Sequence, residues 1–157
     1  MGLGDVLALA GAGLAVGLCG IGAAFAMSFA QRAAAGLMAE KPEMYNKTFI
    51  LQMIPAAAAL FGFVTGFLVL LNVGMGGTPG YELAEGALVF VACLPIALVG
   101  LLGTIAQGKV IASCIAMMGK RPELLGKAIT LSIMIELFLL LALIVSMLAI
   151  MAIPTIA

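Results

Sequence analysis

The sequence has no histidine and no tryptophan, 9% charged residues and three cysteines in 157 positions. Without histidine there is no imidazole for acid–base work near neutral pH, and no His-based metal site. Cys19, Cys93 and Cys114 are scattered through apolar surroundings with no CxxC and no ligand spacing, which makes them small interior residues rather than ligands. Seven Lys and Arg balance seven Asp and Glu, so no charge excess points to nucleic acid or to an anionic surface. No Walker A loop, HExxH helix, nucleophile elbow or dinucleotide fingerprint occurs. The chain hydrolyses nothing alone and carries no cofactor motif.

What it has is apolar length. Hydrophobic residues make up 65% of the chain and the mean hydropathy is +1.32, against about 45–50% apolar and about 25% charged residues in a soluble domain. Uncharged runs cover residues 6–30, 48–73, 86–108 and 128–153, apart from one glutamate in the last. At about 1.5 Å per residue each exceeds the ~30 Å hydrocarbon core. The first run has no positive flank before it and is expected as a retained helix rather than a cleaved leader. Polar breaks lie at 31–47 and 109–127, and a glycine-rich linker at 74–85. The expected fold is all-α and integral to the membrane, with four transmembrane helices as two hairpins: residues 1–73, the linker 74–85, and residues 86–157.

All seven basic residues fall in the two polar breaks or at their ends, while the linker carries Glu82 and Glu85 and the N-terminal tail Asp5. The positive-inside rule therefore puts both hairpin loops in the cytoplasm and both termini outside. The hairpins repeat. Lys41-Pro42-Glu43 matches Arg121-Pro122-Glu123, Lys47 matches Lys127 and Gly20 matches Gly100, all at an offset of 80. Such a parallel repeat implies a pseudo-rotational axis along the membrane normal. The first repeat has Ala56 where the second has Glu136, and a ring of many hairpins works with one carboxyl per pair.

Glu136 is the only charged residue between 128 and 153. An acid at the centre of a membrane helix costs roughly 2.5–3.5 kcal/mol, which a plain anchor does not offset, so Glu136 is read as an ion or proton site. Gln107 lies 15 residues before Pro122 and Glu136 lies 14 after it. Antiparallel helices joined there bring both to the same depth, about 21 Å from the loop. An amide there donates to a carboxylate or offers its carbonyl to a hard cation. Ser132, one turn before Glu136 on the same face, is a supporting position with local hydrogen bonding. Gly13, Gly17, Gly20 and Gly22 make the first helix a close-packing surface. Helices one and three are expected as an inner layer, with the phenylalanine-bearing helices two and four outside. Pro55 and Pro95 are expected to kink helices two and three, and Arg32 and Lys109 to snorkel at the interface.

The duplicated hairpin, the glycine-rich first helix, Ile105-Ala106-Gln107-Gly108-Lys109 and Ile135-Glu136 resemble the c-type proteolipid, or K subunit, of bacterial V-type rotary ATPases. The likeness spans nearly the whole chain. It implies a homo-oligomeric ring turning in the lipid bilayer against a stator membrane subunit with an essential arginine, and central-stalk subunits at the cytoplasmic loops. Glu136 matches the family's ion-carrying glutamate and Gln107 its partner. Sodium-carrying members resemble this chain in the second helix but have Pro-x-Thr-Gln and then Tyr, which supply sodium ligands. Here Ala57, Ala58 and Phe61 stand in those places, leaving Glu136, Gln107 and the Ile54 carbonyl, expected to be freed near the kink. Hard cations need several oxygens, so H+ is the expected cargo and no metal is expected; Na+ at Glu136 and Gln107 is the alternative. A small four-helix proton-coupled efflux transporter is the reading outside the family, disfavoured by the missing tryptophan and by Tyr45 and Tyr81 falling in loops. A purely structural proteolipid is the third. Glu136→Gln separates them: a rotor keeps its assembly and loses ion transport altogether, as vesicle ion-uptake assays with the purified complex will register, whereas a structural role leaves transport unchanged.

Overall fold

Alanine, leucine, methionine, glutamine, arginine and glutamate are good helix formers, and they continue through both polar breaks. In the computed structural model, which describes residues 2–75 and 81–153, helix α1 therefore runs over Leu3–Glu40 and helix α4 over Leu83–Lys120, 38 residues each. Both outrun the apolar runs read from the sequence, because polarity at 31–40 and 109–120 ends the membrane span without ending the helix. Proline ends the helix. Lys41 and Arg121, each followed by proline, leave the α region (φ −135°, ψ 80° and φ −139°, ψ 88°), as the pyrrolidine ring demands of its predecessor. A 3-10 turn follows in each hairpin, Pro42–Met44 and Pro122–Leu124. Of the expected linker, residues 76–80 lie outside the described residues.

The returning helices differ. In the second hairpin α5 runs unbroken over Leu125–Ala152. In the first, the return is split into α2 (Tyr45–Met53) and α3 (Ala56–Leu70), with a π turn at Leu71–Met75. Pro55 has no N–H to return to the Leu51 carbonyl, and the chain tightens through Ala57 N–H to Ile54 O (3.2 Å) and Ala58 N–H to Pro55 O (3.3 Å). Pro95 sits inside α4 without ending it, and the next amide, Ile96 N–H, donates to Ser146 Oγ on α5 at 3.3 Å. Tyr45 opens α2 rather than lying in a loop, and Tyr81, just before α4, is buried.

Four helical stretches among the described residues are long and apolar enough to cross a membrane: Leu3–Glu40, Pro42–Val73, Leu83–Lys120 and Pro122–Ala152. α1 and α4 pack side by side along their length, α3 lies on α1 and α5 on α4. The α1–α4 approach is backbone to backbone: a methyl on Gly11 would come within 2.8 Å of Phe90 Cα, on Gly22 within 2.9 Å of Leu101 Cα, and on Gly108 within 2.7 Å of the Ala26 carbonyl oxygen. The seam is tied at both ends. Asp5 accepts from Gly2 N–H and Tyr81 N–H, both at 2.8 Å. At the opposite end Lys41 Nζ donates to Gly119 O (2.6 Å) and Lys47 Nζ to Pro122 O (3.3 Å).

The seam predicts a contrast between two glycines. Gly108→Val forces a side chain into the Ala26 backbone and should cost about 1–3 kcal/mol or more. Gly36→Ala, where a methyl meets nothing within 4 Å, should gain up to about 1 kcal/mol of helix propensity. Thermal midpoints of the two variants in detergent should fall and hold or rise, respectively.

Candidate ion-binding site

The site is built on the second hairpin. The 3-10 turn at Pro122–Leu124 sets α5 antiparallel to α4 in a register that brings Gln107 to Glu136, as the equal spacing about Pro122 leads one to expect. Gln107 is fully buried. Its Nε2 donates to Glu136 Oε2 at 2.6 Å and to the main-chain carbonyl of Ser132 at 3.2 Å. Two acceptors on the nitrogen fix which way the amide faces, and its oxygen is left over. Gln107 Oε1 and Glu136 Oε1 are both buried with no hydrogen-bond partner among the described residues. A neutral amide thus meets one carboxyl oxygen and leaves two oxygens, one from each side chain, unpartnered among the described residues.

Ser132 serves through its backbone. Its hydroxyl donates to Ala128 O at 2.9 Å, one turn back, while its carbonyl is the second acceptor for Gln107. A main-chain acceptor leaves no mark in a sequence, so that contribution has no signal there. Thr104 is a further polar group that no motif marks: one turn before Gln107 on α4, it is fully buried and its hydroxyl has no partner among the described residues.

The second-helix positions contribute no side-chain oxygen. Ala58 is fully buried, Ala57 half-buried, and Phe61 packs half-buried against the core formed by Ala15, Cys19 and Ile96. The expectation of a freed Ile54 carbonyl is corrected. The acceptor that loses its donor to proline is four residues back, at Leu51, and Ile54 O accepts from Ala57 N–H in the tightened turn. Of the glycines singled out for packing, Gly22 lies in the α1–α4 seam, whereas a methyl on Gly13, Gly17 or Gly20 would meet nothing within 4 Å. No cluster of three or more acidic, cysteine or histidine side chains able to hold a metal occurs among the described residues.

The family model for the ATP synthase C subunit matches this chain twice, over residues 10–69 and 90–149. The chain belongs to the ATP synthase C-subunit family. The two matches stand 80 residues apart, the offset of the internal repeat, so each hairpin is one family unit. The V-type sodium ATPase subunit K of Enterococcus hirae is 35% identical over 148 residues, 94% of this chain and 92% of that protein. The A-type ATP synthase subunit K of Methanocaldococcus jannaschii is 30% identical over 141 residues, 90% of this chain and 61% of that longer protein. Membership places the chain among the non-catalytic membrane proteolipids of rotary ATPases and removes the small efflux transporter as a reading.

Gln107→Leu keeps the volume and deletes both donors. Hydrogen bonds to charged groups are worth about 1.5–3 kcal/mol, so ion-coupled ATP turnover of the assembled complex should drop by about tenfold or more while the chain still assembles. A double variant with Glu136→Gln should be no worse than Glu136→Gln alone if the two act as one unit.

Proposed function

We propose that the chain is the rotor-ring proteolipid of a V- or A-type ATPase and that it carries H+ on Glu136. The observation that carries the choice of cargo is the poverty of the site in oxygen. The carboxyl's hydrogen-bonded contacts are one amide and, through it, the Ser132 carbonyl, which is already taken. Among the described residues, the one buried unpartnered side-chain oxygen on α4 beyond the amide's own is the Thr104 hydroxyl a turn away. A proton requires one carboxyl and a hydrogen bond, and a protonated Glu136 is neutral in the apolar run, which lowers the cost of exposing α5 to lipid. A dehydrated sodium ion requires several oxygens, and residues 56–59 are all alanine.

In this reading each subunit meets the stator with a protonated carboxyl, loses the proton when the stator's arginine offers a counter-charge, and takes up another from the opposite side. Gln107 holds the carboxylate during the moment it is charged. The hairpin loops face the cytoplasm, as their seven basic residues favour, and meet the central stalk there. Rotation couples the transfer to ATP hydrolysis or synthesis in the soluble head.

The Enterococcus hirae relative is named for sodium, and that favours a second reading in which Na+ rests between the two unpartnered oxygens and backbone or water supplies the remainder. Carbodiimide, which attacks a protonated carboxyl, separates the two. Labelling of Glu136 in the purified ring that falls as pH rises and ignores sodium supports H+; protection by millimolar sodium at constant pH overturns it in favour of Na+. Absence of labelling at every pH overturns the rotor role of Glu136.

A further inference from the structure

One main-chain unit of α4 is held from two other helices. Pro95 has no N–H, and its ring crowds the carbonyl of Val91 one turn back, which loosens that turn within an otherwise continuous α4. Ile96, the next residue, reaches outside α4 with both of its main-chain groups. Its N–H donates to Ser146 Oγ on α5 and its carbonyl accepts from Cys19 Sγ on α1, each at 3.3 Å. All three residues are fully buried. The counterparts of Pro95 and Ser146, 80 residues back, are Ala15 and Gly66. The proline and the hydroxyl that meets the amide after it thus occur together in the hairpin that carries Glu136, and both are missing at the matching places of the other.

The place of Ser146 on α5 gives this contact a role. The buried residues of α5 are Ala128, Ser132, Leu139, Ala142, Ser146 and Ile150. At about 100° per residue they form one stripe reaching about 40° to either side of Ser146. Glu136 lies about 80° round from Ser146 by the same count, at the edge of the stripe, and is half-buried, while Leu137 and Phe138 beside it are exposed. A carboxyl at that edge is sensitive to the roll of its helix. A roll of about 20° carries a side chain at the ~5–6 Å helix radius through about 2 Å. The 2.6 Å bond from Gln107 would then lie outside hydrogen-bonding range. Leu139, Ala142 and Ile150 hold the stripe by apolar burial, which has no direction. The bond from Ile96 N–H has one, and it acts at the middle of the stripe, ten residues beyond Glu136.

We propose that Ser146 is a positioning residue for ion carriage: by holding the amide after Pro95 it sets the roll of α5 and keeps Glu136 against Gln107. The proposal rests on the reading of Glu136 as the proton carrier and adds what keeps it in place. The turn at Pro122–Leu124 fixes α5 at one end and Ser146 fixes it on the far side of the carboxyl, so Glu136 lies between two restraints. Pro95 has a use in this arrangement, since the turn it loosens lets the Ile96 amide be shared with a neighbouring helix. Ser146 touches neither the carboxyl nor the cargo and acts through Gln107.

The test is the infrared carbonyl band of protonated Glu136 in the assembled complex, identified as the band that Glu136→Gln removes. That band moves to higher wavenumber when the carboxyl loses a hydrogen-bond donor, so Gln107→Leu should raise it. Ser146→Ala should raise it part of the way, and ion-coupled ATP turnover should fall by less than the about tenfold expected of Gln107→Leu. In a chain already carrying Gln107→Leu, Ser146→Ala should move the band no further. Ile150→Val, which trims the same stripe without touching a hydrogen bond, should leave the band in place. A band unmoved by Ser146→Ala, or moved as far by Ile150→Val, overturns the positioning role and leaves the proton reading standing. If Glu136→Gln removes no band at any pH, the proton reading falls and this role with it.

Discussion

A carboxyl carried within an apolar helix must have its hydrogen-bonding needs met by protein, since lipid meets none of them. Here one amide meets one of the two carboxyl oxygens, and the architecture brings that amide to the right depth. Gln107 must stand opposite Glu136, which fixes the register of α4 against α5 and hence the tight turn at Pro122–Leu124. Gln107 must also be dry, which requires α4 to be sealed along its other side. The glycine contacts with α1 provide the seal by letting two backbones approach without side chains between them.

The first repeat makes the same point by omission. The position of Glu136 is taken by Ala56 and that of Gln107 by Met27. Both members of the pair are missing together, which is the outcome physics favours: a buried amide facing no carboxyl would leave its donors unpaired at a cost of about 1–3 kcal/mol. Freed of that constraint, the first hairpin tolerates a proline in its returning helix, and α2 and α3 part at Ile54 and Pro55. The second hairpin, which must hold a 2.6 Å hydrogen bond between side chains of two helices, keeps its returning helix whole.

The sequence is most readable where a single covalent or steric rule acts. Prolines at 42 and 122 end both long helices, and equal spacing from Pro122 pairs Gln107 with Glu136. It is less readable where an outcome depends on which face a residue presents. Gly13, Gly17, Gly20 and Gly22 look alike in a list, but a turn of 100° per residue puts only Gly22 in the seam within one chain. Main-chain acceptors are invisible in it: nothing marks the carbonyl of Ser132, and the acceptor that Pro55 frees is Leu51 rather than Ile54. Helix length exceeds the hydropathy run because hydropathy measures the membrane, whereas propensity and proline measure the helix.

The continuation of α1 and α4 past the apolar runs, to Glu40 and Lys120, has a mechanical consequence. About ten residues of helix at 1.5 Å each make a rim some 15 Å tall, joined to the depth of Gln107 with no loop between, and braced by Lys41 on the Gly119 carbonyl. A sideways push on that rim reaches Gln107 through unbroken helix, and Glu136 through the hydrogen bond that Gln107 donates. The split between α2 and α3 falls in the hairpin that does not carry Glu136, so the break in a returning helix lies in neither of the helices that make the Gln107–Glu136 contact.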